Sequence, residues 1–317
     1  MSDKHQILFS HARAKALTIE NLWKKLETIS LEELAKEWLG PMPRNTKRNY
    51  LSGLKKLHAL EILCLEDSLQ QFSLYNHDDV LDKISAVTEW SDCTKQARAA
   101  LYISLTRFLY RKTDGIIKRA VPRKGEVNTT FFRVREKVKT EPLGMEDWKR
   151  LIEKIKERSL RDSIITKLCI QGARRIQEVL DLQIEQVNPE KRQVTFRLNK
   201  TRGLIKNVIV TIPESAMKEI SLYAGRRKQG PLFITSTGKK VRYTQIMKAL
   251  QRAAKACDFG KKIHTHVLRT SAISYLRSLG LQDFEIQRLT GHASTQMLNA
   301  YDKSSIENNS SKRVALI

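Results

Sequence analysis

A mainly α-helical protein with one small antiparallel β-sheet, divided into two domains, is the fold class the sequence predicts. Three observations carry it. Apolar residues recur at three- and four-residue spacing through residues 31–113 and again from 142, the period of a helix with one buried face. Strict alternation occurs in two neighbouring runs, Val194, Phe196, Leu198 and then Val208, Val210, Ile212, the period of paired strands. Between the helical stretches, residues 118–141 lose periodicity and gain charge, glycine and proline, as a linker does.

Taken in order, residues 1–30 are polar with scattered apolar positions and are expected to form an arm. SLEELAKEWLG (30–40) opens on a capping box, Ser30 with Glu33, and stops at Gly40-Pro41. TKRNYLSGLKKLHALEIL follows as a second helix, with Leu51, Leu54, Leu57 and Leu60 expected on one face. Lys47, Arg48, Lys55 and Lys56 occupy the rest of it; they suit either a DNA backbone or plain solvation. A helix is expected from Asp78 to Trp90, and another over 94–113 with Leu101, Leu105, Phe108 and Leu109 inward. Residues 31–117 then form a helical domain, 118–141 a basic linker, 142–303 a second domain and 304–317 a polar tail ending in VALI. The second domain opens on a helix burying Trp148, Leu151, Ile152 and Ile155, and is helical on both sides of Gly172. Its two alternating runs form a hairpin whose tip, NKTRGLIK, is rich in positive charge, and PLFITSTG (231–238) predicts a third short strand. Helical patterns resume from Thr244 through Cys257 and run to the end.

Lysine and arginine number 58 against 34 acidic residues, a net charge of +24, which points to a polyanionic partner. The charge is uneven: residues 1–94 hold 12 basic and 14 acidic groups, residues 95–138 hold 12 and 3, and the remainder 34 and 17. The polyanion is therefore expected against the middle and the C-terminal half. Four cysteines (Cys64, Cys93, Cys169, Cys257) without CxxC spacing suit reduced thiols better than a disulfide frame or a zinc site. No signal pattern and no apolar run of about 18 residues is present, so a soluble cytoplasmic protein is expected, with no membrane partner.

The chemistry concentrates in two places. GARRIQEVL puts Arg175 and Glu178 one turn apart on one helical face, where the carboxylate can hold the guanidinium or order a nearby imidazole. HTHVLRTSAISYLRSLGLQDFEIQRLTGHASTQMLNAY (264–301) sets His266 and Arg269 three apart, then His292 directly after Gly291, then Tyr301 nine residues on. Guanidinium, imidazole and phenol together form a kit for handling a DNA phosphate. His264 and His266 have no third ligand at metal-binding spacing, so no metal is expected.

These motifs resemble the three boxes of the tyrosine recombinases, the phage-integrase family. RRIQEVLDL is similar to the first, with an acidic residue three after the arginine; HVLRTSAISYL is similar to the second, His-x-x-Arg; LTGHASTQMLNAY is similar to the third. They fall in the right order, and Lys200 in the hairpin stands where the family places its lysine. Over its length the chain also looks like the integrases carried on chlamydial virulence plasmids. The resemblance implies a C-clamp of a helical core-binding domain and an α+β catalytic domain around double-stranded DNA. It implies that Arg175 and Arg269 bind the scissile phosphate and that His266 and His292 add hydrogen bonds or proton handling. It further implies that Tyr301 attacks to give a 3′-phosphotyrosyl link, that Lys200 protonates the leaving 5′ oxygen and that Glu178 supports the cluster. Neither ATP nor another cofactor is then required. Arg202, beside Lys200, joins the expected DNA contacts, and the tail is expected to pack in trans within a homo-tetramer on paired sites. A replication regulator of the same shape and a type IB topoisomerase are the alternatives.

Departures from the pattern are few. Gly172 stands three residues before Arg175 where many members have two, so Arg174 is a competing candidate; the acid at Glu178 favours Arg175. Thr270 and Thr290 stand where the family often has His and Leu, and neither is expected to touch a catalytic group.

Overall fold

The computed structural model describes residues 19–121, 140–198 and 206–292, together with Thr295 and Leu298. The chain divides into two compact units, residues 1–134 and 135–317.

In the first unit the helices are α1 (Ile19–Glu27), α2 (Leu31–Leu39), α3 (Arg44–Ala59), α4 (Leu69–Ser73), α5 (His77–Ala86) and α6 (Asp92–Lys112). Part of the expected arm is thus helix: α1 delivers Leu26, and the turn after it Ile29, into the same apolar core as Leu31, Leu34, Phe72 and Leu105. Ser30 caps α2 as its sequence implies, accepting the Glu33 N–H while the Glu33 carboxylate accepts the Ser30 N–H. In α3 only part of the expected stripe is buried. Leu54 and Leu57 are inside, but Leu51 and Leu60 are 41% and 45% exposed. A strict three-residue spacing falls behind the 3.6-residue turn, so the ends of such a row rotate out of the contact. Gly53 takes the vacated place, lying so close to α6 that a Cβ there would stand 2.4 Å from Leu101 Cδ1. Within α6, Leu101, Leu105 and Leu109 are buried and Phe108 packs at the margin. The helix expected over 78–90 ends at Ala86, before Val87 turns extended.

The second unit opens with α7 (Met145–Lys156), whose Trp148, Leu151, Ile152 and Ile155 are all buried, and continues with α8 (Leu160–Gln171) and α9 (Ile176–Leu180). A three-stranded antiparallel sheet follows, β1 (Val187–Asn188), β2 (Gln193–Arg197) and β3 (Asn207–Thr211), in that order. The hairpin is as its alternation predicts, with Val194 opposite Val210 and Phe196 opposite Val208. Residues 231–238 do not supply the third strand; they make only isolated bridges, Pro231 to Gln183 and Ile234 to Lys240. That place is taken by Val187–Asn188, too short to show any alternation in sequence. α10 (Glu214–Ala224), α11 (Tyr243–Ala256), α12 (Thr265–Ser278) and α13 (Asp283–Thr290) follow among the described residues. No described helix is long and apolar enough to cross a membrane.

Candidate active site

The site begins at a helix end. At the C-terminus of α8 the Arg174 N–H reaches the Cys169 carbonyl and the Ala173 N–H that of Ile170. This is a Schellman closure, which needs a left-handed residue just past the cap. Ala173 fills that role with φ +47°, whereas Gly172 is the cap itself at φ −97°. Gly172 is bare for another reason: a Cβ there would lie 2.8 Å from Arg174 Cγ.

Two arginines leave this turn in different directions. Arg174 is wholly buried, donating through Nε to the Gly172 carbonyl at 2.7 Å and through Nη2 to the Leu289 carbonyl, with its guanidinium over the Phe196 ring. Burial pulls its pKa down to about 10, against the opposing pull of Glu178. Arg175 has a side chain 29% exposed and is held by buried Glu178, whose two oxygens accept from the Arg175 N–H at 3.2 Å and Nη1 at 3.0 Å. Arg174 is therefore a buried brace, and Arg175 is the first-box arginine open to solvent.

α12 brings the second box to the same turn. Arg269 is 2% exposed. It donates through Nη1 to the Ala173 carbonyl and through Nη2 to the Thr290 carbonyl at 3.1 Å and His292 Nε2 at 3.0 Å. His266 is exposed near the head of α12, its ring parallel to that of His264 at 6.4 Å between centroids. Partial burial, then the positive charges of Arg269, His264 and Arg175, lower its pKa.

Gly291, left-handed at φ +66°, ends α13 and turns the chain so that His292 points inward. Burial, and then Arg269, Arg175 and Arg174, push the His292 pKa down to about 3. The ring is neutral at working pH, with Nε2 accepting from Arg269. This arrangement suits holding the arginine rather than proton handling. Thr290 was expected to touch no catalytic group. Instead its Oγ1 lies 2.6 Å from His292 Nδ1 and its carbonyl receives Arg269. The expectation rested on the side chain that the resemblance puts there, and leucine offers no hydrogen bond. Thr270, by contrast, is buried within α12, and its hydroxyl makes no hydrogen bond among the described residues.

The structure thus brings Arg175, Glu178, His266, Arg269 and His292 into one neighbourhood. Lys200, Arg202 and Tyr301 lie outside the described residues. Lys47, Arg48, Lys55 and Lys56 are exposed on α3, in the other unit. Sequence reading missed three participants: Thr290, the Ala173 carbonyl and Gln287, whose amide donates to the His292 carbonyl at 3.1 Å. The doubled arginine was the available sign that something beyond the first box was being built.

Among the described residues, one group could hold a metal ion: His58, Cys64 and Glu66, in the first unit. The Leu65 N–H donates to His58 Nδ1 at 3.4 Å, so the neutral ring keeps its proton on Nε2, the nitrogen that faces Glu66 at 3.6 Å. Cys64 Sγ also donates to Glu66, at 3.2 Å, which makes the group a hydrogen-bonded cluster as it stands.

A helical unit, a second unit with a small sheet, and arginines and imidazoles gathered at one turn define a DNA strand-transferase of the tyrosine recombinase class. Residues 142–308 match the phage integrase family. Over 302 residues the chain is 39% identical to the virulence plasmid integrase pGP8-D of Chlamydia trachomatis, covering 94% of this chain and 91% of that one. The chain belongs to the phage integrase family and is a site-specific recombinase acting on DNA. Two solved structures share its fold. One is the XerH site-specific recombinase bound to difH substrate in a pre-cleavage complex (17% identity, 87% and 80% of the two chains, TM-score 0.63). The other is a lambda integrase dimer bound to a COC′ core site (13% identity, 95% and 87%, TM-score 0.62).

Proposed function

We propose that this recombinase cleaves and rejoins double-stranded DNA through a 3′-phosphotyrosyl intermediate, with Tyr301 as nucleophile and Arg175, Lys200, His266, Arg269 and His292 around the scissile phosphate. The Tyr301 phenol gives its proton to His266 and its oxygen bonds to phosphorus as the bond to the 5′ oxygen breaks, while Lys200 gives that 5′ oxygen its proton. Rejoining reverses the exchange: a 5′-hydroxyl attacks and the phenol leaves, so the bond count is conserved without ATP. Phosphoryl transfer spreads negative charge over equatorial oxygens, which fixed donors must meet. The observation that carries this reading is the convergence of Arg175, Arg269 and both imidazoles on the turn after α8. Glu178 orients Arg175, and His292 acts through Arg269.

The remaining assignments belong to the same proposal. Lys47, Arg48, Lys55, Lys56 and Arg202 contact the DNA backbone; the protein works in the cytoplasm as a tetramer on paired sites, its tail docking on a neighbouring subunit. A nicked suicide duplex, selected from a randomised pool by covalent capture, tests the chemistry. A protein–DNA adduct lost in Tyr301→Phe is the expected result; an adduct that survives the substitution overturns it. Strand exchange between defined sites separates a recombinase from a type IB topoisomerase, which would relax plasmid at random sequences. Binding without any adduct would favour a regulatory role. Deleting Val314–Ile317 is expected to weaken assembly and recombination while leaving monomer binding intact; unchanged recombination would count against tail docking.

A further inference from the structure

Thr290 is the last residue of α13 and is wholly buried, where the family resemblance puts a leucine. Its surroundings fix the direction of each hydrogen bond. A guanidinium can only donate, so at 3.0 Å from Arg269 Nη2 the His292 Nε2 must accept. A neutral imidazole then carries its proton on Nδ1, which donates to Thr290 Oγ1 at 2.6 Å. The threonine hydroxyl turns its own proton to the Gln287 carbonyl at 3.5 Å. Gln287 returns a bond from its amide to the His292 carbonyl at 3.1 Å. The left-handed turn at Gly291 brings the two ends of this ring together.

We infer that Thr290 is a positioning residue: it locks His292 in the Nδ1–H tautomer, so that Nε2 remains an acceptor and holds the Arg269 fork in place. With leucine or valine at 290, Nδ1–H would face an apolar wall, and the ring would gain by moving its proton or rotating. An Nε2–H would then confront Arg269 donor to donor. The neutrality of His292, whose pKa is held near 3, is consistent with a ring used for its tautomer rather than its charge. The inference rests on the reading of Arg269 as a phosphate ligand.

The test uses the full chain with selectively 15N-labelled histidine. Imidazole nitrogen shifts are expected to report Nδ1–H at His292 in the wild type and in Thr290→Ser. In Thr290→Val they are expected to report Nε2–H or a mixture. On the captured suicide duplex, Thr290→Val should form adduct about 100-fold more slowly, with duplex affinity changed less than about three-fold and Thr290→Ser restoring most of the rate. A wild-type His292 carrying its proton on Nε2 overturns the inference, whether or not any variant folds. So does a Thr290→Val protein that keeps both the tautomer and the rate, or one whose rate falls only in step with its thermal stability. Tyr301→Phe in the same assay isolates the parent reading: if it still forms adduct, the catalytic assignment fails, while the tautomer measurement still decides what Thr290 does.

Discussion

Glu178 shows how much rests on one side chain. Its carboxylate is fully buried, 3.0 Å from Arg175 and 3.7 Å from Arg174, which is itself buried. Removing one partner of a buried ion pair leaves the other charge desolvated and uncompensated. Glu178→Ala should therefore destabilise the protein by about 3–5 kcal/mol in chemical denaturation, and Glu178→Gln, which still fills the space, by less. The pH dependence of stability follows from His292. Its folded pKa of about 3 lies below the ordinary value of 6.5, so between these limits the unfolded chain binds a proton that the folded one does not. Stability is fully present above pH ~6.5 and falls as the pH drops toward ~3, by up to ~1.4 kcal/mol per unit. His292→Gln should flatten the slope of unfolding free energy between pH 4 and 6. An unchanged slope would mean the ring titrates normally.

At the scale of elements, the ends of helices do more for the site than their lengths. Gly291 needs a left-handed backbone, and a Cβ there would stand 2.7 Å from Leu198 Cδ1 at the end of the β2 strand. Gly291→Ala should cost about 2–4 kcal/mol through strain and overpacking together. It should also slow adduct formation, since the turn aims His292. In the other unit, Gly53→Ala should lower the melting temperature although alanine is the better helix former. The gain of about 1 kcal/mol in propensity is set against a Cβ 2.4 Å from Leu101 and 2.6 Å from Arg98.

What the sequence disclosed follows the same division. Long amphipathic helices such as α7, with its Trp148 to Ile155 stripe, and the alternating hairpin were legible because burial imposes a period. Leu51 and Leu60 were misplaced because a three-residue row was read as a single face. β1 was invisible because two residues have no period, and 231–238 passed for a strand because it is apolar and β-branched. In the site, Arg175, Glu178, His266, Arg269 and His292 were readable from their spacing. The Ala173 carbonyl was not, since every residue has one.

For the whole molecule, a net charge of +24 sets the terms of DNA binding. The surplus lies beyond residue 94, whereas the first 94 residues are slightly acidic apart from the exposed row Lys47, Arg48, Lys55 and Lys56 on α3. If the protein neutralises about six to ten phosphates, affinity should fall about 10³–10⁵-fold between 50 and 200 mM salt. Fluorescence anisotropy on one duplex would measure this, and replacing Lys55 and Lys56 with Gln should reduce the salt slope by about two. A flat salt response would place affinity elsewhere than in phosphate contacts. The fastening of Arg269 also bears on how such a protein diverges. Its anchors at 173 and 290 are main-chain carbonyls, which persist whatever side chain mutation supplies. Point changes along these loops that spare the Thr290 hydroxyl and the left-handed backbone at 173 can therefore accumulate in a lineage with the grip intact, whereas inserting or deleting one residue in either loop would carry the oxygens out of reach. Gaps, more than mismatches, should mark the boundary between working and dead copies of this enzyme.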